Sequence, residues 1–251
     1  ETYENKEDNA EPLYQNANFP VGVAVDIKKL ETNPYRDRLI KHFNSVTAEN
    51  YMKMHRVHTG LNEWNFEYAD KLVDFCQKYN KKLHGHNLVW PEHVPKWVAD
   101  WAKNNDKEAL KEYIYKPHIQ KMMSRFNSNI ITGWDVVNDA FGKNGESHPL
   151  KINGESTYVQ DKYGNQIKFN IQDIADFFCW AREADSNAKL YFNECFSVQW
   201  RVYKNEYNLP VYEFLENKRD AVINMVDYFK ANNVPIDGIG LQMHISFNED
   251  E

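Results

Sequence analysis

Cysteine is scarce in this chain, with three in 251 residues at Cys76, Cys179 and Cys195. Three is odd and too few for a disulfide framework, so a packed core has to hold the fold. Cys76 and Cys179 fall at apolar positions of helical segments and read as ordinary buried thiols. Positive charge is not in excess either: 30 Lys and Arg stand against 37 Asp and Glu, a net of −7. Lysines and acids are interleaved, so no extended basic face forms, which disfavours nucleic acid and anionic membrane as partners. No apolar run reads as a membrane span or a signal sequence. A glycine-rich phosphate loop and a nucleophile-elbow serine motif are also missing, which disfavours nucleotide-dependent and serine-esterase chemistry. Among nine histidines, His55 and His58 are three apart, while His84 and His86 are two apart and share one strand face. No Cys or His set has a structural zinc spacing, and neither a metal nor a cofactor is expected.

Hydrophobic residues make up 42% of the chain and aromatics 14%, with seven Trp and fifteen Tyr. That is enough for one substantial core, and flat aromatic faces also suit sugar rings. Strand-like runs at 20–26, 45–49, 82–90, 133–138, 189–193 and 238–246 alternate with segments of helical period. Such alternation predicts parallel strands with helical crossovers. One helical stripe is Ala69, Leu72, Val73, Cys76 and Tyr79; a second is Ile171, Ile174, Ala175 and Phe178; a third is Ala221, Val222, Met225, Val226 and Phe229. A further helix is expected over 110–126, kinked by Pro117. The polar stretch 142–168, with Gly145, Gly154 and Gly164, reads as a loop carrying a small hairpin and bordering any cleft beside Asp139. Residues 1–18 read as a polar N-terminal extension, like a spacer left after processing, and 19–251 as the folded domain.

Three of the strand-like runs leave the core carrying amide, imidazole, carboxyl or indole groups. They are Trp134-Asp135-Val136-Val137-Asn138-Asp139-Ala140-Phe141, His84-Gly85-His86-Asn87-Leu88-Val89-Trp90 and Gly238-Ile239-Gly240-Leu241-Gln242-Met243-His244-Ile245-Ser246. Read alone, Asn138-Asp139 could start a turn or cap a helix, Glu49-Asn50 could be a helix cap, and His86 a satisfied core histidine. Together with Val46-Thr47-Ala48-Glu49-Asn50-Tyr51-Met52-Lys53, and in this order, the motifs resemble the strand ends of glycoside hydrolase family 10, the endo-1,4-β-xylanases.

The resemblance implies an α/β fold, the (β/α)8 TIM barrel, of which about six βα units are represented. The chain stops at Phe247–Glu251, after the sixth strand, so an incomplete barrel domain is expected. It implies cleavage of xylan by a retaining mechanism, with Asp139 at the position of the acid/base. Asp139 is one methylene shorter than the family's Glu, which withdraws the carboxyl by up to ~1.5 Å. The family's nucleophile belongs to a later strand, so it stays unassigned, and Glu249 and Glu251 read as solvated charges. Glu49, Asn50 and Lys53 match a trio that binds sugar hydroxyls, and His86 and Trp90 match residues around the cleaved sugar. Asn138, Gln242 and His244 complete the implied binding set, with Asn193 and Asp135 in support. Met54, Pro91 and Cys195 depart from the family pattern, which also admits a non-catalytic carbohydrate-binding protein. The implied partner is a plant cell-wall polysaccharide, xylan or its oligosaccharides, met in the medium, the periplasm or at the cell surface.

Overall fold

The computed structural model of the protein describes residues 8–31, 35–195 and 211–242. Its main sheet contains β1 (Gly22–Val25), β2 (Ser45–Ala48), β5 (Lys82–Val89), β6 (Ile131–Asn138), β7 (Lys189–Cys195) and β8 (Gly238–Gln242). Between β2 and β5, a separate antiparallel hairpin pairs β3 (His58–Gly60) with β4 (Glu63–Trp64). All neighbours in the main sheet run parallel, in the order β1-β2-β5-β6-β7-β8. That is chain order without reversal, as in a barrel wall, whereas a doubly wound sheet reverses at a switch point. Helices return the chain between strands: α1 (Tyr35–His42), α3 (Glu67–Lys78), α5 (Lys107–Leu110) with α6 (Lys116–Arg125), α7 (Ile171–Ala184) and α8 (Val211–Ala231). Two shorter helices, α2 (Met54–Val57) and α4 (Lys96–Ala102), sit in the long connections.

The strands and helices form because their apolar periods match. On the strands, Val46, Ala48, Leu83, Leu190 and Phe192 are buried, while the intervening Thr47, His84, His86, Tyr191 and Asn193 are half-buried. The period of two sends one set under the helices and the other to the inner face of the sheet. Ala69, Leu72, Val73 and Cys76 of α3, and Ile174, Ala175 and Phe178 of α7, are the buried stripes that cover the outer set. Gly85 shows how tight this wall is, because a Cβ there would stand 2.2 Å from the Trp134 ring. Only glycine lets the fully buried indole of β6 lie against β5.

Two expectations change on inspection. The segment 110–126 is not one helix kinked at Pro117: a π-helical turn, Lys111–Tyr115, separates α5 from α6. Pro117 therefore falls in the first turn of α6, where its missing N–H has little to lose. The polar stretch after Asp139 is more than a loop with one hairpin. Antiparallel bridges join Phe141 to Ser147, Pro149 to Lys168, Lys151 to Tyr158 and Gln160 to Gln166. Leu150, Ile152, Val159 and Ile167 supply a buried apolar seam that the surrounding Asn and Lys residues conceal in the sequence.

The first turn of α7 is anchored electrostatically. Asn170 and Asp173 form a reciprocal capping box. The buried Asp173 carboxylate also receives Lys107 Nζ and Lys111 Nζ, each at 2.7 Å, and Lys111 reaches Asp176 at 2.7 Å. Burial alone would raise the Asp173 carboxyl, but the two ammonium groups and the Asn170 N–H hold it below the usual range. At the N-terminus, Asp8 pairs with Lys41 and His42 of α1.

A second buried polar feature gives the fold a pH dependence. The His58 ring stacks on Trp64 at 3.9 Å and lies parallel to His118 at 5.4 Å. Burial pushes His58 down from 6.5 to about 4, and holds the fully buried His118 well below its ordinary value. Both imidazoles are neutral when folded, while the unfolded chain binds protons as the pH falls below 6.5. Stability is therefore complete above about pH 6.5 and is lost as the pH drops toward 4, His58 alone accounting for up to roughly 3 kcal/mol. Urea unfolding between pH 7.5 and 4.5 is expected to show this slope, and a His58→Phe variant to flatten it; an unchanged slope in that variant would refute the assignment.

Candidate active site

On the inner face, His84 and His86 stand two residues apart on β5, and His86 is in register with Asp135 of β6. The Asp135 carboxylate bridges both rings, with Oδ1 at 2.9 Å from His84 Nε2 and Oδ2 at 2.8 Å from His86 Nδ1. Burial would raise its pKa, but the bonds to the two imidazoles outweigh that and leave it below the usual range. Asp135 thus fixes the orientation of both rings, and its own surface is too enclosed for direct chemistry. The His84–His86 pair, which the sequence raised only as a metal spacing, is explained by this bridge. Among the described residues no group of three potential ligands is arranged to hold a metal ion.

At the ends of β6, β7 and β8 a second network gathers Asn138, Asp139, Asn193 and Gln242. The buried Asn138 donates from Nδ2 to Asp139 Oδ2 at 2.7 Å and accepts from Asn193 Nδ2 at 2.7 Å. Gln242 Nε2 donates to Asn138 Oδ1 at 3.1 Å and to Asp139 Oδ1 at 2.8 Å. Asp139 turns out of β6 with φ +48°, and its N–H is secured by the Asn193 carbonyl at 2.9 Å. Each carboxyl oxygen of the half-buried Asp139 therefore has a fixed side-chain donor.

A third group builds a wall beside this network. Lys53 is buried, with Nζ 3.1 Å from Asn50 Oδ1 and 4.8 Å from the centre of the Trp90 ring. Burial lowers its ammonium pKa, opposed by the charges of Glu49 and Asp139. Glu49, Trp90 and Asp139 each follow the C-terminal end of a parallel strand, β2, β5 and β6, which puts them on one rim. Trp90 stacks on His93 at 3.6 Å and lies 6.2 Å from His86. The capping alternative for Glu49-Asn50 does not hold, since Lys53 precedes α2 and no side chain caps that helix. The Glu49 side chain stays exposed at the rim.

Several groups here gave no signal in the sequence. His93 forms the back of the Trp90 face, and burial, with Lys53 nearby, lowers its pKa. His148 comes from the bridged excursion; burial again lowers its pKa, although the charges of Glu92 and Asp139 oppose this. Glu194, directly after Asn193, is completely buried and bonds to Lys218 of α8 at 2.7 Å. Spacing along one strand could have flagged Glu194 as facing the helices, but its partner lies in another element. His244 falls outside the described residues, as do Glu249 and Glu251.

The glycosyl hydrolase family 10 profile matches residues 10–251. Endo-1,4-beta-xylanase A of Caldicellulosiruptor sp. (strain Rt8B.4) is 36% identical over 242 residues, spanning 92% of this chain and 31% of that protein. The endo-1,4-beta-xylanase A of Thermoanaerobacterium saccharolyticum is 34% identical over 245 residues, spanning 92% of this chain and 18% of its own length. The chain thus spans less than a third of the length of these curated relatives. Among solved structures, the intracellular xylanase of Thermoanaerobacterium saccharolyticum in complex with xylotriose superposes with a TM-score of 0.73 at 30% identity, covering 97% of this chain and 71% of that one. Xylanase XynB of Paenibacillus barcinonensis gives 0.69 at 30% identity, covering 94% and 63%.

Proposed function

We propose, from the premise that this chain belongs to glycoside hydrolase family 10, that the protein cleaves internal β-1,4 linkages of xylan with retention of configuration. Asp139 is the acid/base: it protonates the leaving sugar's oxygen and then takes a proton from the attacking water. Glu49, Asn50 and Lys53 bind hydroxyls of the glycone, Trp90 covers an apolar sugar face, and His86 lies beside the cleaved ring. Asn138 and Gln242 hold Asp139, Asn193 and Asp135 support the two networks, and His244 serves the region of the second carboxylate.

One observation carries the reading: a half-buried carboxylate, with a donor on each oxygen, follows β6 at the end where the paired β5 delivers the tryptophan of a lysine–tryptophan wall. A retaining hydrolase also needs a nucleophile roughly 5–5.5 Å from the acid/base. No described carboxylate is given that role, because Glu194 is sealed from substrate and Asp135 is committed to two imidazoles. We propose that polymeric xylan is met in the medium, in the periplasm or at the cell surface, and that no cofactor enters the reaction.

Incubation with xylan, following new reducing ends and product length, tests the proposal, with calorimetric titration of xylo-oligosaccharides alongside. Short oligosaccharides released from internal sites are the expected result. Binding without cleavage would instead favour the second reading, a carbohydrate-binding protein, which the shortened acid at position 139 supports. Neither binding nor cleavage would overturn both.

A further inference from the structure

Glu194 and Lys218 lie behind Asp139, on the side of the sheet away from substrate. Glu194 alternates with Asn193 on β7, so Asn193 turns toward the Asp139 network and Glu194 toward the helices. There its Oε1 lies 2.7 Å from Lys218 Nζ and accepts the Cys195 N–H at 2.9 Å. Its Oε2 accepts the Phe141 N–H at 3.1 Å, two residues beyond Asp139. The Glu194 side chain has no exposed surface, and that of Lys218 is 7% exposed.

A second contact ties the same helix to the same turn. Gly145, with φ +80°, packs so closely on α8 that a Cβ would lie 2.6 Å from the Asn217 carbonyl, the neighbour of Lys218. α8 therefore grips the chain after Asp139 at Phe141 through Glu194, and at Gly145 through its backbone. Asp139 itself sits in a left-handed conformation, and the anchored segment 140–145 fixes where that turn points.

We infer that the Glu194–Lys218 pair is a positioning device for Asp139, fixing the turn that carries it and setting the charge it feels from behind. The inference rests on the reading of Asp139 as acid/base. Burying two ions is costly unless each is paired and its remaining bonding capacity used, and here the carboxylate uses both oxygens on three donors. The charged and titratable groups facing Glu194 are Lys218 from α8 and Asp139 from the end of β6, while His148 faces Lys218 and Asp139 from the excursion. Burial raises the Glu194 carboxyl, the Lys218 ammonium and the Phe141 N–H pull it back down, and the negative charge of Asp139 adds to the rise.

Each variant should move Asp139 in a defined direction. Glu194→Gln removes the negative charge and leaves the ammonium facing Asp139, which favours its carboxylate. Lys218→Met removes the opposing positive charge. Carbon-13 NMR of the Asp139 carboxyl, followed against pH, is expected to show its midpoint falling by roughly half a unit or more in Glu194→Gln and not falling in Lys218→Met. Where xylan is cleaved, the alkaline limb of the rate profile should move with that midpoint, and kcat should fall about tenfold or more with KM nearly unchanged.

A folded Glu194→Gln variant with the parental Asp139 midpoint overturns the inference, even if its melting temperature drops. Should Glu194→Gln fail to fold, Lys218→Met and the neutral pair Glu194→Gln/Lys218→Met carry the test. The neutral pair is expected to fold and to hold an Asp139 midpoint below that of Lys218→Met, in which the Glu194 carboxylate still stands behind Asp139; equal midpoints overturn the inference. Retained cleavage in Asp139→Ala would defeat the acid/base reading, whereas an unmoved Asp139 midpoint defeats only the positioning role.

Discussion

Replacing Asp139 with alanine is expected to reduce xylan cleavage on the order of 10²–10⁴-fold, the range that a positioned proton donor contributes. Binding of xylo-oligosaccharides should persist, because Lys53, Asn50 and Trp90 are untouched. Asp139→Glu separates reach from backbone strain. The longer side chain advances the carboxyl by up to ~1.5 Å, and a displacement of about 1 Å is worth on the order of 100-fold, or roughly 2.7 kcal/mol. Against this, φ at position 139 is +48°, a conformation that Asp visits more readily than Glu. That local cost is at most about 1–2 kcal/mol and bears on folding as well as on rate. Reach outweighs it, so Asp139→Glu is expected to raise the rate while lowering the unfolding midpoint slightly. Initial rates of reducing-end release, with melts of all three proteins, check both halves; undiminished release by the alanine variant would remove Asp139 from the chemistry.

The largest effect on stability is expected at Asp173. Its carboxylate takes Lys107 and Lys111 and completes the cap of α7, and Asp173→Ala removes the buried counter-charge of both ammonium groups, leaving the buried Lys111 only the more exposed Asp176 and Glu108. Losing one partner of a buried pair costs about 3–5 kcal/mol, which for a domain of this size is a drop of roughly 10 °C in Tm. A Lys111→Met/Asp173→Leu double variant should recover part of that loss by removing both charges, although the helix cap stays lost. A double variant less stable than Asp173→Ala would contradict the argument.

The same charges show where sequence reading succeeds and where it stops. Strand and helix identity is legible because each depends on a local period: His84 and His86 share a face whatever surrounds them, and Leu72, Val73 and Cys76 make a stripe on any helix. The gathering of Asn138, Asp139, Asn193 and Gln242 comes from motif order, since parallel strands of one wall end at one rim. Partnership across elements is not legible. Nothing near Glu194 announces Lys218, which meets it only once α8 docks, and nothing near Lys111 announces Asp173, 62 residues away. The apolar seam of the excursion is hidden for another reason: Leu150, Ile152, Val159 and Ile167 are spread among polar residues too irregularly to show a strand period. Pro117 does mark a disturbance, but the backbone absorbs it by widening the preceding turn.

That bridged excursion also separates rigid from replaceable parts of the rim. Its base is pinned by the Phe141–Ser147 and Pro149–Lys168 bridges, yet at Gly154 and Gly164 an added Cβ would meet nothing within 4 Å. Both glycines have positive φ, 77° and 81°, so the tips suit spliced-in sequence better than point changes. They are natural graft points, where a reporter peptide or an accessory module can be carried beside the cleft without loosening the walls beneath it.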